Sequence, residues 1–135
     1  MKKPSLNLPD TNAIIRYLIK DDLDQYAIAD TFFQKVLTGQ EKAVIMESVL
    51  VECIYVLTKI YKVPKKEAAD IMINLLHYKG IQNQNRKELV SALNCFSENN
   101  LDIVDCILCI FARQQGYAFF TFDKNLQKSI RNNDP

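Results

Sequence analysis

The sequence has a single histidine, His77, and a net charge of only +1, from 17 basic and 16 acidic residues. One histidine excludes mechanisms that need a pair of imidazoles. Its place in an apolar helical pattern favours a residue on a helix surface or at the edge of the core. The near balance of charge excludes a polycation that binds nucleic acid over its whole surface. Any contact with nucleic acid must therefore be made by a local basic patch.

Long hydrophobic runs are also absent. No apolar run reaches the ~18 residues that a membrane-spanning helix needs, and no hydrophobic region follows Lys2 and Lys3 to complete a secretion signal. We therefore expect a cytoplasmic protein with no membrane partner. With 135 residues, of which 48% are hydrophobic and 24% charged, the chain is expected to form one soluble domain over residues 1–135.

The four cysteines are expected to be structural residues. All four lie in apolar helical patterns, where a thiol acts as a small hydrophobic group. Cys106 and Cys109 form a C-x-x-C motif, but its spacer is Ile-Leu, and no second cysteine pair or histidine cluster completes a zinc site. We expect neither redox nor zinc chemistry.

Short apolar segments alternate with helical patterns along the chain. The opening stretch Leu6-Asn7-Leu8-Pro9-Asp10-Thr11-Asn12 is predicted to be a strand that ends in an acid. Further strands are predicted at 43–46, 81–84 and 117–122, with helices at 11–20, 24–37, 47–60, 65–78, 86–96, 101–112 and after Asp123. This alternation predicts an α/β fold with a parallel sheet covered on both faces.

Two acids stand in apolar helical patterns with no cation beside them. Asp105 lies in 101–112, where ten of twelve residues are apolar, and an unpaired buried carboxylate costs several kcal/mol. Its alternative role is a cap at the third helical position. Glu52 is also without a local partner, and its alternative is a salt bridge to another segment. Asp102 is interpreted as the N-cap of its helix.

Two other acids end predicted strands. Asp10 and Asp123 would emerge on one edge of a parallel sheet, although Asp123 also suits an N-cap. Carboxylates that converge there would repel one another without a divalent cation between them. Oxygen ligands without histidine or cysteine favour Mg²⁺ or Mn²⁺, which suits phosphoryl chemistry by metal-activated water.

Four segments resemble, in order and spacing, the motifs of the PIN-domain ribonucleases, and most of all the VapC toxins of toxin-antitoxin pairs. They are Leu8-Pro9-Asp10-Thr11-Asn12, Val51-Glu52-Cys53-Ile54-Tyr55-Val56-Leu57, Leu101-Asp102-Ile103-Val104-Asp105-Cys106 and Thr121-Phe122-Asp123-Lys124. The resemblance implies a three-layer α/β/α sandwich, a Mg²⁺- or Mn²⁺-dependent endoribonuclease, a homodimer and inhibition by an antitoxin protein. It assigns the metal and catalytic roles to Asp10, Glu52, Asp105 and Asp123, with Asn12 and Thr121 supporting them.

Some features depart from that pattern. Pro9 removes a backbone donor directly before Asp10, and residues 129–135 are too short and polar for a convincing last strand. The expected sheet therefore has four or five strands. For RNA we expect contacts from Arg16, Lys124 and Lys128, the alternative being a solvated basic face.

Two other functions compete with a nuclease. A signalling receiver phosphorylated on aspartate needs an acid after a central strand, whereas the strand at 43–46 ends in Glu47. A catalytically silent PIN-like interaction module is the main alternative, although the chain retains all four acids. The RNA target is not decided by the sequence.

Overall fold

The computed structural model describes residues 6–132, and the chain is 66% helical. The helices are α1 (Thr11–Leu18), α2 (Leu23–Thr38), α3 (Glu47–Tyr55), α4 (Lys65–Leu76), α5 (Arg86–Glu98), α6 (Ile103–Gln115) and α7 (Lys124–Asn132). A single π-helical turn, Val56–Ile60, continues α3. The helices predicted from periodicity are therefore present, with ends that shift by a few residues.

The helix ends follow the local chemistry of the chain. Asp10 and Asp22 cap α1 and α2, since their carboxylates accept hydrogen bonds from the backbone N–H groups of Ala13 and Gln25. Gly39 and Gly116 close α2 and α6 in the left-handed conformation, with φ values of 87° and 69°. Glycine reaches this conformation without a Cβ clash.

The predicted parallel sheet of four or five strands, and with it the α/β/α sandwich, is wrong. No strand longer than a single bridge forms within residues 6–132. Two isolated parallel bridges, Asn7 to Ala43 and Ala43 to Ile81, align three extended segments side by side. Ala43 and Ile81 are buried, whereas Leu8 on the first segment is 67% exposed.

Pro9 explains why the first bridge does not extend. The backbone of Asn7 makes both hydrogen bonds of a parallel ladder: its N–H donates to Lys42 at 2.9 Å, and its carbonyl accepts from Val44 at 3.0 Å. The next donor on the same edge would be residue 9. Because proline has no N–H, the ladder stops there.

Asn83 ends the second bridge. The ladder begins with the N–H of Ala43 donating to Gly80 at 3.0 Å and the carbonyl of Ala43 accepting from Gln82 at 2.8 Å. At Ile45 the partner is the side-chain amide of Asn83, which accepts from the Ile45 N–H at 2.9 Å and donates to its carbonyl at 2.7 Å. A buried side chain therefore takes the place of the next backbone pair.

The segment predicted as a strand at 117–122 has no ladder partner among the described residues. Phe120 and Phe122 are 85% and 89% exposed, and their rings meet edge to face at 5.3 Å. Of the region considered for a fifth strand, 129–132 lies in α7, and 133–135 lies outside the described residues.

The core is formed by the inward faces of the helices. α1 packs on α2 and α3, and α5 packs on α4 and α6. Phe33, Leu50, Met72 and Leu93 are fully buried in one continuous core, and Tyr17 stacks on Phe33 with ring centroids 4.6 Å apart. Among the described helices, none combines the length and the apolar composition that a membrane crossing requires.

Candidate active site

Asp10 and Glu52 face the same cavity. Asp10 ends the first extended segment and accepts a 2.8 Å hydrogen bond from the Ala13 N–H, so that its carboxylate sits at the start of α1. Glu52 lies on α3, which packs against α1. Both side chains are exposed, and both line a cavity of about 320 Å³ together with Asn12.

Both acids lie close enough to the buried thiol of Cys53 to affect its pKa. Burial raises the pKa of Cys53 to about 12, and the charges of Glu52 and Asp10 add to the rise. The packing of α1 on α3 therefore brings Asp10 and Glu52, two of the four predicted acids, to the same cavity.

Asp105 and Asp123 line a second, larger cavity. This cavity of about 620 Å³ lies between α3 with its π-helical turn and the first residues of α6 and α7. Burial raises the pKa of the Asp105 carboxyl, and the negative charges of Asp102 and Asp123 raise it further. The sequence interpretation of Asp102 is only half confirmed, because it occupies the N-cap position of α6 but its side chain makes no capping hydrogen bond.

Thr121 organises the turn that carries Asp123. Its hydroxyl oxygen accepts a 3.1 Å hydrogen bond from the Asp123 N–H, and its carbonyl accepts one of 2.7 Å from the Gln127 side chain. Asp123 in turn caps α7 by accepting from the Leu126 N–H at 3.1 Å. Thr121 therefore helps to fix the backbone turn from which Asp123 projects.

The two pairs of acids do not merge into one group. Within residues 6–132, no three histidine, cysteine, aspartate or glutamate side chains are grouped so that they could hold a metal ion. The sequence argument placed Asp10 and Asp123 on one sheet edge, which requires the segments before them to pair. Because residues 117–122 do not pair with residues 6–9, that convergence is not formed.

The donor chemistry of the two pairs nevertheless suits a hard cation. Each pair offers carboxylate oxygens only, the ligand type that Mg²⁺ and Mn²⁺ prefer. Burial is the main cause of the raised pKa of Asp105, and the negative charges of Asp102 and Asp123 also repel its carboxylate. A divalent ion would relieve this repulsion.

Arg16, predicted to contact RNA, is engaged inside the protein. Its guanidinium donates to Gln25 at 2.7 Å and to Asp21 at 3.0 Å. The hydroxyl of Tyr61 donates to the same carboxylate at 2.6 Å. The Tyr61 hydrogen bond and the Arg16 charge together hold the pKa of Asp21 below its usual value. Arg16 still lines a cavity of about 500 Å³ that includes Asp10.

Lys124 and Lys128 are exposed on α7, directly after Asp123. Neither ammonium group makes a hydrogen bond or an ion pair within the part of the chain that the structure describes. Their charges remain open to a ligand.

The larger cavity also includes residues that the sequence analysis did not predict to be part of a site, among them one tyrosine and two lysines. Tyr55 and Lys59 line it from the α3 side, and Lys65 lines it at the start of α4. A signal for Tyr55 was present, because it follows Glu52 by three residues and therefore lies on the same helix face. Lys65 gave no such signal, since its position depends on tertiary packing.

The family model described as PIN domain matches residues 8–131 of the chain. No curated protein and no solved structure matches it.

Proposed function

Because the chain belongs to the PIN domain family, whose members are commonly nucleases, we propose that it is a metal-dependent endoribonuclease. The observation that carries the proposal is the placement of four acids in two cavities, both bordered by α3. Asp10 with Glu52, and Asp105 with Asp123, are the residues that would hold Mg²⁺ or Mn²⁺. A bound ion would activate water and neutralise charge on the phosphate.

Two of the four acids are oriented by hydrogen bonds to the chain's own backbone. Capping of α1 and α7 orients Asp10 and Asp123 at helix starts, where backbone N–H groups also favour an anion. Asn12 lies two residues beyond Asp10 and lines both cavities that Asp10 borders. Its side-chain amide would donate a hydrogen bond to Asp10 or to a substrate oxygen. Exposed Lys124 and Lys128 would hold the RNA backbone.

The biological role that we propose is that of a toxin in a toxin-antitoxin pair. It is supported by the likeness of four sequence segments to the motifs of VapC toxins. With it we propose a cytoplasmic homodimer that a partner antitoxin inhibits.

The decisive experiment is cleavage of mixed single-stranded RNA by the purified protein in Mg²⁺ or Mn²⁺. We expect new fragments that disappear with EDTA. Asp10→Asn and Asp105→Asn should each lower the rate by roughly 100-fold or more, the scale on which one charge-stabilising group acts in catalysis. Asp70→Asn is the matched control, because Asp70 lies exposed on α4 outside both cavities.

A second candidate function is a silent interaction module of the same family. It is favoured by one observation: within residues 6–132, no three possible metal-ligand side chains are grouped closely enough to hold an ion. If the folded protein, freed of any copurified inhibitor, cleaves no RNA in either metal, the silent module replaces the nuclease.

A further inference from the structure

The larger cavity continues away from the acids along α3. We call it the α3–α6 groove. One wall carries Tyr55 and Lys59, and the other carries Asp102, Asp105 and Asp123. Its volume of about 620 Å³ lies in the range of sites that hold small ligands.

Tyr55 offers an unused aromatic surface in this groove. It is the last residue of α3 and is 59% exposed. Among the described residues, its ring stacks on no other aromatic ring and its hydroxyl makes no hydrogen bond. The π-helical turn begins at the next residue, and such turns are frequent at functional sites. An aromatic ring exposed in a groove is a platform on which a nucleic-acid base can stack.

Lys59 provides the charge that a polyanion needs beside this platform. It follows Tyr55 by four residues, so the two side chains lie on neighbouring turns of one helical face. Lys59 is exposed and makes no ion pair within the described part of the chain. Lys65, by contrast, is held by the carbonyls of Asn99 and Leu101 at 3.0 Å.

We propose that the α3–α6 groove binds single-stranded RNA, with one unpaired base stacked on Tyr55 and a neighbouring phosphate against Lys59. This inference rests on the proposed nuclease function, to which it adds one residue that stacks on a base and one that binds a phosphate. A duplex is disfavoured because its bases are already stacked on one another and show only their edges. The enzyme therefore selects unpaired stretches of RNA.

Binding is tested with a fluorescein-labelled single-stranded oligoribonucleotide, by anisotropy, in the Asp10→Asn background so that RNA is not cleaved. Adding Tyr55→Ala should weaken binding roughly tenfold, the usual loss for one stacked base. Tyr55→Phe should bind within about twofold of the parent, because it keeps the ring. Tyr117→Ala is the control, since Tyr117 is similarly exposed, at 64%, but lies outside the groove.

Lys59 is tested by salt titration of the same binding. Lys59→Ala should reduce the slope of log affinity against log salt by about 0.7, the value for one phosphate contact on a single strand. Lys66→Ala should leave the slope unchanged, because Lys66 points to solvent on α4 and lies outside the groove.

The outcomes separate this inference from the nuclease proposal. If the native protein cleaves RNA but Tyr55→Ala binds RNA as tightly as the parent, the proposed binding in the α3–α6 groove is wrong and the nuclease proposal is supported. Base stacking on Tyr55 is also overturned if Tyr55→Phe and Tyr55→Ala lose the same amount of RNA affinity. It is overturned as well if a duplex binds as tightly as the single strand. If the native protein does not cleave RNA but Tyr55→Ala still weakens RNA binding, the nuclease proposal is wrong and the proposed binding in the α3–α6 groove is supported.

Discussion

The ammonium of Lys65 donates a 3.0 Å hydrogen bond to the backbone carbonyl of Leu101, just before the start of α6. It donates a second, also of 3.0 Å, to the carbonyl of Asn99, and lies 4.3 Å from the centroid of the Phe96 ring. One cation thus fixes the α5–α6 connection and, with it, the turn of helix that carries Asp105.

Replacing Lys65 should therefore destabilise the fold. Lys65→Met leaves two backbone carbonyls without a donor, and we expect the free energy of unfolding to fall by about 2 kcal/mol. Lys66→Met is the neighbouring control. Its ion pair with Asp70 is exposed and 3.7 Å long, so its loss should cost less than about 0.5 kcal/mol. Urea unfolding of both variants measures the difference, and equal effects would contradict this role for Lys65.

The raised pKa of Asp105 makes stability depend on pH. A carboxyl whose pKa is higher in the folded than in the unfolded state stabilises the protein at low pH, and that contribution is lost as the pH rises through the folded-state pKa. At neutral pH the charged Asp105 therefore lowers the free energy of unfolding. Asp105→Asn should raise the free energy of unfolding at pH 7 by less than about 1 kcal/mol, since the carboxyl is only partly buried.

The same gain should vanish as the pH falls below about 4, the usual pKa of an unfolded aspartate. Thermal unfolding of the native protein and Asp105→Asn across pH measures this trend. Asp70→Asn provides the exposed control and should shift stability by no more than about 0.5 kcal/mol. A gain for Asp105→Asn that grows toward acidic pH would have the wrong sign for this account.

Cys95 should be the reactive thiol of the chain. The Cys106 thiol across the α5–α6 interface hydrogen bonds to Cys95 and lowers its pKa to about 7, with Arg113 contributing, although burial opposes the shift. Burial raises the pKa of Cys53 and of Cys109, and the Cys95 contact raises that of Cys106. The thiolate is the nucleophile, so reactivity follows these directions.

Iodoacetamide followed by mass spectrometry tests this order. The first adduct should form on Cys95, at a rate that rises through about pH 7, and Cys95→Ser should remove it. Equal labelling of Cys95 and Cys109 in the folded protein would show that the contact with Cys106 does not activate Cys95.

Lys124 and Lys128 should contribute to RNA binding without affecting the fold. Replacing both by Ala should reduce the salt slope of single-stranded RNA binding by about 1.4, from two lost phosphate contacts. The double replacement of Lys42 and Lys66 removes the same charge from exposed positions outside the two acid cavities. If both double variants have the same slope, the lysines of α7 are an ordinary solvated face.

Sequence patterns predicted the helices well because the information they need is local. Apolar periodicity predicted them, and the caps that the structure shows, Asp10 and Asp22 at helix starts and the glycines that close α2 and α6, also act within one or two turns. The sequence also singled out Asp105 and Glu52, because neither acid has a cation beside it in its apolar helical pattern. Asp10 and Asp123 were singled out by their places at the ends of predicted strands.

The tertiary structure decided how these parts combine. Short apolar segments predicted a sheet, but a ladder needs a donor at every second residue, and Pro9 and the side chain of Asn83 interrupt it. The grouping of the acids as Asp10 with Glu52 and Asp105 with Asp123 follows from helix packing and from the unpaired segment 117–122. Local sequence determined which residues carry charge and where helices begin. Only contacts between distant segments determined which charges meet.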